Sequence, residues 1–514
     1  MVAYHYTGNS IPGSALKDVV LRIVHEATAI GLRIIAVTSD MGPSNRAMWR
    51  EFGISSTRSG VNNHIVHPVL NTCNLYFIAD VPHLVKNLRT AFVKHGSFIL
   101  SEDICRNNDL PTDTVSIDHV KDLIEFQANK DLKLAPKLCA NTIDFSHFDK
   151  MNVGNALHLF SRSTSAALKF LVENEGRPTC YLTTAFFIDS VNRWFDLLSS
   201  RYPVMALSKV KMDNYISALE FLDMFQQMIG AMQVGSKAEW KPVQTGVILS
   251  TSAIVGIAAD LLDQQDFLLT SRLTQDCLEN LFSCVRSKNP VPTPREFKYA
   301  LKVITAAQYL KQIGTGSYQQ DDREYLGDLL PARITPPDPH LDLPVLTLFS
   351  SSLTADEESS LYYLVGYCIQ SLRKLRQLCD TCVDAIRDTT VLPHSSLLLL
   401  KNYKSGALFQ VRNDIFEVAK NWELVVRSME PHLKLPNVKD LFVSQCNSAV
   451  SIPQELLSLP TCHNVIPRLL GKFVGVRLHI MCKKLNAGSK TIGTSSGALG
   501  SKSVAMRHLV KKVR

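Results

Sequence analysis

Two acids three residues apart, Asp276 and Glu279, stand in the stretch Leu273-Thr274-Gln275-Asp276-Cys277-Leu278-Glu279-Asn280-Leu281-Phe282-Ser283-Cys284-Val285-Arg286. On a helix this spacing puts both on one more polar face, while Leu278, Leu281, Phe282 and Val285 recur at helical spacing and are expected to bury the other. A third acid, Asp40, closes the β-branched run Leu32-Arg33-Ile34-Ile35-Ala36-Val37-Thr38-Ser39, and in open α/β sheets functional groups gather just beyond the carboxyl ends of strands. Carboxylates brought together select hard divalent cations, and such ions serve in-line displacement at phosphodiesters. The expectation is that the fold sets Asp40 beside Glu279 to hold metal. Each acid also has a plainer use: the positive end of the helix dipole favours Asp276 and Glu279, with Thr274 as N-cap, and Asp40 suits an N-cap for a helix over 44–51.

The elements that must position these acids follow from periodicity. A short strand over 2–6, a turn at 9–13 and a helix over 14–31, with Leu16, Val19, Val20, Ile23 and Ala27 inward, precede the Leu32–Ser39 run, which suits a central strand; strand, helix, strand implies parallel pairing. A further strand, Asn74-Leu75-Tyr76-Phe77-Ile78-Ala79, ends at Asp80-Val81-Pro82-His83, and a helix over 84–93 follows with Lys86 and Arg89, then Lys94, on what reads as a solvated face able to touch phosphate. His67 and His83 lack zinc-type neighbours in sequence. From 97 to 262 helical periodicity replaces β-branched alternation, with helices over 155–172 and 183–198, the latter carrying a stripe of Phe187, Val191, Trp194, Phe195 and Leu198. A helix runs from about 293 to 313, residues 314–360 read as a linker, and the rest to about 485 is mostly helical.

The bulk numbers exclude several classes. The 514 residues are 46% hydrophobic and 20% charged, enough for sizeable cores and more than one domain. Val247 to Leu262 is the longest apolar run, but Ser250, Thr251, Ser252 and Asp260 interrupt it, so a buried helix is expected and no membrane partner. Residues 1–6 do not read as a signal peptide. The 12 cysteines are scattered, which suits reduced thiols; Cys379-x-x-Cys382 with His479 and Cys482 offers a zinc set. The formal charge of +8 resides in residues 483–514, where eight Lys/Arg meet no acid, a composition attracted to polyanions. No Gly-rich phosphate loop with Lys and Ser/Thr occurs, so an ordinary P-loop GTPase is not expected.

Three blocks resemble one family, the P element transposases and their THAP-domain-bearing animal relatives. They are Ala36-Val37-Thr38-Ser39-Asp40-Met41-Gly42, Asp80-Val81-Pro82-His83-Leu84-Val85-Lys86-Asn87, and Gln244-Thr245-Gly246 through Leu269-Thr270-Ser271-Arg272 to Ser283. Residues 135–138 and 150–153 also resemble the family's insertion. The resemblance implies an α/β plus all-α chain: an RNase H-like core over 1–96 and 263–313, interrupted by a helical, GTP-binding-like insertion over 97–262. A linker over 314–360, a helical C-terminal domain over 361–482 and a basic tail over 483–514 follow.

In function, the resemblance implies a fragment of a cut-and-paste DNA transposase, cleaving and transferring DNA strands with Mg²⁺ or Mn²⁺ at Asp40 and Glu279 as catalytic and metal-binding acids. The implied partners are DNA (transposon ends and target), GTP and a second copy of the chain, with residence in the nucleus. Lys137, Lys150, Phe195, Asp196 and Asp276 are the implied nucleotide contacts: lysines on phosphates, the aromatic on the base, an aspartate on guanine N1 and N2. The family's first acid belongs to an Asp-Glu-x-Met block ahead of the strand at Val2. No such block occurs here, so an amino-terminally truncated chain, inactive by itself in strand transfer, is expected. The alternatives are a catalytically dead transposase-derived protein that binds DNA or protein, and a nucleotide-binding regulatory module.

Overall fold

The computed structural model describes residue 4 and residues 11–58, 60–144, 152–235, 238–286, 289, 291–313, 352–402, 408–435, 437–457, 459 and 462–492, the side chains of 307–313 and 486–492 excepted. The chain divides into two compact units, Met1–Ala91 with Arg193–Pro344, and Phe92–Asn192 with Val345–Arg514. Each combines helices with small sheets, helix predominating.

In the first unit, strand Asn74–Ala79 lies between two neighbours: Ala36–Ser39, parallel and in register from Ala36 opposite Tyr76 to Ser39 opposite Ala79, and His64–Val66, antiparallel. The expected central strand over 32–39 is therefore corrected. Only Ala36–Ser39 is strand, and among the described residues it pairs on one side alone. The central place belongs to Asn74–Ala79, whose residues from Leu75 to Ala79 are all buried. Helix Gly13–Ala29 is held against helix Pro43–Glu51, where a Cβ on Gly13 would meet the Ala47 carbonyl carbon at 2.5 Å. The strand expected over 2–6 lies outside the described residues, Tyr4 apart. A hairpin of Ser55–Thr57 and Gly60–Asn62 was not foreseen.

Helix Pro242–Leu261 covers the central strand. It is long and apolar enough to cross a membrane, yet mostly buried within the protein. Its polar residues find partners in the same unit. Ser250 Oγ accepts from Ala79 N–H (2.9 Å) and donates to Ala79 C=O (2.8 Å), Thr251 Oγ1 accepts from Trp194 Nε1 (2.8 Å), and Asp260 accepts from the Tyr76 hydroxyl (2.8 Å). Two glycines permit the approach: a Cβ on Gly246 would run into Leu84, and one on Gly256 would meet the Tyr76 ring at 2.6 Å. Because this helix and the Trp194–Phe225 ring stack (5.4 Å) belong with strand Asn74–Ala79, the compact units part differently from the expected 97–262 segment, and Arg193 to Leu261 sit in the first unit.

The second unit begins with a ring cluster of Phe92, Phe98, Phe160 and Phe187 and a hairpin of Ser97–Ile99 with Thr114–Ser116. The helix expected over 155–172 is two, Val153–Leu159 and Arg162–Asn174, because Ser161 caps the second through Thr164 N–H. Helices Ala355–Lys374, Asn413–Ser428, Val438–Ala449 and Val465–Ile492 enclose a core with Tyr362, Trp422 and Phe473. At its centre Glu423 and Arg477, neither exposed, bond bidentately at 2.6 and 2.7 Å, and Arg427 adds a third bond at 2.9 Å. The expected linker over 314–360 gives way to helix at Ala355, where Thr354 and Glu357 form a capping box; residues 314–351 lie outside the described part. The expected tail over 483–514 starts within helix Val465–Ile492, and 493–514 lie outside the described residues.

Candidate active site

Parallel pairing puts the ends of strands Ala36–Ser39 and Asn74–Ala79 side by side, so Asp40 and Asp80 emerge together, and Asp80 N–H donates to Ser39 C=O at 2.9 Å. Asp40 is half-buried; its Oδ1 accepts from Gly42 N–H and Asn45 Nδ2, each at 2.7 Å, leaving Oδ2 for a further partner. The N-cap of helix Pro43–Glu51 is Gly42, so the capping role considered for Asp40 does not hold. Its hydrogen bond instead closes a short turn that aims the carboxylate beyond the strand.

Asp80 was not foreseen as a site residue. It is 2% exposed and serves two helices at once. Oδ2 accepts from His83 N–H (3.2 Å) in the first turn of helix Val81–His95, and Oδ1 accepts from Gln275 N–H (2.7 Å), immediately before helix Asp276–Arg286. A carboxylate at a helix start satisfies orphan N–H groups and complements the dipole. Burial pushes the Asp80 carboxyl above its usual range, opposed by the Gln275 N–H and by His83. A second tie lies two residues away, where Thr38 Oγ1 donates to Leu273 C=O at 2.9 Å. Leu273 to Gln275 is thus bonded to residues at both strand ends.

The acidic helix itself is corrected in one respect. Of Leu278, Leu281, Phe282 and Val285, only Val285 is buried, and Leu278 is 40% exposed. The helix is placed less by a buried face than by polar ties at its start. Its N-cap position is Gln275, whose carbonyl receives Glu279 N–H at 2.9 Å; Thr274 Oγ1 reaches Asp276 N–H only at 3.4 Å. Glu279, 54% exposed in its side chain, projects from the first turn with Oε1 3.9 Å from His83 Nε2. The same ring nitrogen lies 4.0 Å from Asp80 Oδ2.

Lys86 faces this group. Burial pushes its ammonium below the usual range, and the carboxylates of Asp80, Glu279 and Asp40, in that order, push it back. One cation thus feels all three acids. Neither Lys86 (7% exposed) nor Arg89 (0%) lies on a solvated face as expected, whereas Lys94 does. The other sequence candidates divide between the two units. Asp276 pairs with Arg201 at 2.7 Å, and Phe195 is half-buried beside the buried stripe of Phe187, Val191, Trp194 and Leu198. Asp196 is half-buried in the first unit, Lys137 is exposed in the second, and Lys150 lies outside the described residues. His67 is a core histidine, its Nδ1 accepting from Val69 and Leu70 N–H.

The donors suit a hard divalent ion. Asp40 offers one uncommitted oxygen, Glu279 is largely open to solvent, and both are the anionic oxygens such ions select. Paired strand ends facing a glutamate-bearing helix define a carboxylate site on an α/β unit. Residues 82–211 match the family model described as the TNP-like, GTP-binding insertion domain. The chain is 26% identical over 320 residues to the transposable element P transposase of Drosophila melanogaster, covering 59% of this chain and 39% of that protein. It is 26% identical over 194 residues to the human DNA transposase THAP9, covering 36% and 20%. Among solved structures, the Drosophila P element transposase strand transfer complex is similar at 24% identity with a TM-score of 0.48, over 57% of this chain and 64% of that one. These matches support the resemblance of the chain to the P element transposases and their THAP-type relatives. Its matches span less than half the length of either curated relative.

Proposed function

We propose that this chain carries the RNase H-like core of a cut-and-paste DNA transposase, in which Asp40 and Glu279 hold Mg²⁺ or Mn²⁺ for cleavage and transfer of DNA strands. The observation that carries the reading is the double tie of Leu273–Gln275 to the two strand ends, through Thr38 and Asp80, which holds the helix bearing Glu279 against the strands bearing Asp40. When bound, divalent metal activates the attacking oxygen and stabilises the leaving one. Asp40 and Glu279 supply anionic oxygens, Asp80 fixes the helix start, and Lys86 contributes positive charge beside the acids, suited to a phosphate.

The family's first acid belongs to an Asp-Glu-x-Met block absent from these 514 residues, so metal binding is the property to measure in this chain. Calorimetric titration with Mn²⁺ should give a binding isotherm that Asp40→Asn and Glu279→Gln each weaken by about tenfold or more, a loss of at least roughly 1.4 kcal/mol. Unchanged affinity in both variants would leave the catalytically dead, DNA- or protein-binding relative as the better reading.

The reading extends to DNA ends and target as partners, a second copy of the chain in the working assembly, nuclear residence, and GTP as a ligand. In the first unit Phe195 would take the base and Asp196 or Asp276 the guanine edge. Asp276 already holds Arg201, so guanine must compete for it. GTP titration that evolves no heat with a folded sample removes the nucleotide part and leaves the metal part standing.

A further inference from the structure

The second unit gathers four donors that the carboxylate site does not use. Cys379 stands at the N-cap of helix Asp380–Ala385, Cys382 lies within its first turn, and Cys462 and His463 lie on the bend just before helix Val465–Ile492. Their ligand atoms all fall within 4.8 Å of one another. Cys379 Sγ is 3.2 Å from Cys462 Sγ, and Cys382 Sγ is 3.5 Å from Cys462 Sγ. His463 Nδ1 is 3.3 Å from Cys382 Sγ and 3.1 Å from Cys462 Sγ.

Three sulfurs and an imidazole nitrogen converge on one point far too loosely for a disulfide, whose S–S length is about 2.04 Å. Tetrahedral coordination with Zn–S near 2.3 Å and Zn–N near 2.0 Å implies donor separations of about 3.5–3.8 Å, a few tenths longer than the shorter ones here. The supports are rigid: Leu378, Cys382, Val383 and Ile386 are buried in the core, and Arg468 donates to Gln377 C=O, tying the two segments beside the cluster. The two remaining candidates from the sequence are displaced. Cys482 is buried in helix Val465–Ile492, and His479 lies roughly 21 Å along its axis from Val465 at 1.5 Å per residue.

We propose that Cys379, Cys382, Cys462 and His463 form a structural Zn²⁺ site that fastens the start of helix Asp380–Ala385 to the start of helix Val465–Ile492. Sulfur-rich tetrahedral donors select Zn²⁺ over Mg²⁺ or Mn²⁺, and with all four positions filled by protein no vertex remains for substrate. Assembly forms three Zn–S bonds and one Zn–N bond and releases three thiol protons to solvent. Because the donors meet only in the folded unit, binding energy becomes folding energy.

The test is metal analysis of the full chain purified under reducing conditions without chelator, paired with cobalt substitution. The expected result is one zinc per chain, and visible bands of tetrahedral cobalt–thiolate on exchange. Cys462→Ser should weaken zinc binding by more than the about tenfold that loss of an outer partner costs. His463→Cys, which restores four donors, should keep the metal, separating loss of a ligand from loss of the fold. His479→Ala and Cys482→Ala should keep it too. Absence of zinc and of the cobalt bands from a folded chain, a Cys379–Cys462 disulfide in mass spectrometry, or zinc lost in His479→Ala but kept in Cys462→Ser, would each overturn the proposal.

Discussion

At the strand ends of the first unit the gathered donors are oxygens, that of Glu279 open to solvent, on a helix positioned by single hydrogen bonds to Thr38 and Asp80. In the second unit they are three sulfurs and an imidazole, seated on segments whose neighbours are buried in a continuous core. The contrast is physical. A site that must admit a large substrate keeps its ligands exposed and its carrying helix only partly packed, so polar ties do the positioning. A site that only fastens two helix starts can have all four positions filled by protein, and its supports can be as rigid as the core permits.

The largest expected effect challenges the second half of that contrast. Glu423→Ala strands Arg477 without its partner and should destabilise the second unit by about 3–5 kcal/mol, read in urea by the fluorescence of buried Trp422. Mn²⁺ binding at Asp40 and Glu279 should be unaffected. If it falls in step, the two sites do not have separate supports.

Lys401 gives a pH-dependent version. It is 7% exposed, donates to Leu134 C=O at 2.9 Å and lies 4.1 Å from the Tyr363 ring, and burial pushes it down to about 7. The unfolded chain keeps this proton to about pH 10.4, so between about 7 and 10 unfolding takes up a proton and stability rises with pH. Lys401→Met should remove that rise and, at pH 7, stabilise the second unit by about 1–3 kcal/mol; a pH profile unchanged by the substitution would contradict it.

Asp80→Ala should cost the first unit about 1–2 kcal/mol, the loss of a helix cap, and should also weaken Mn²⁺ binding although Asp80 is not a proposed ligand. A variant that loses stability but binds Mn²⁺ normally would show that the tie to Gln275 does not set the position of Glu279. The smallest effect is expected at Leu278. Because it is exposed, Leu278→Ala should stay within about 0.5 kcal/mol of the parent, and a larger loss measured by denaturation would return the helix to a buried-face account.

What could be read from the sequence follows the same division. Strand Asn74–Ala79 was legible to the residue, because a continuous apolar run ending in Asp-x-Pro is a local signal. The position of Asp40 at a strand end was equally plain. Asp80 was not legible as a positioning residue, since its bond to Gln275 joins residues far apart in the chain and periodicity carries no such information. Periodicity likewise marked which face of the acidic helix was apolar, but not whether anything covers it. In the second unit Cys379-x-x-Cys382 was visible as half a ligand set. The sequence offers His479 and Cys482 as partners as readily as Cys462 and His463, because ligand spacing across a long gap is settled only by which helix starts meet. The hairpins at 55–62 and 97–116 escaped because three-residue strands are too short to show alternation.

The central claim is that Asp40 and Glu279 hold one ion between them. Iron(II) bound in place of magnesium, with ascorbate and peroxide, cuts the backbone near the metal, and the fragments can be mapped by mass spectrometry. The account predicts two groups of cuts, around residues 38–42 and around 276–280, both suppressed by excess Mg²⁺ and both lost in Asp40→Asn. Cuts at only one of the two segments, or cuts near Glu279 that survive Asp40→Asn, would contradict it.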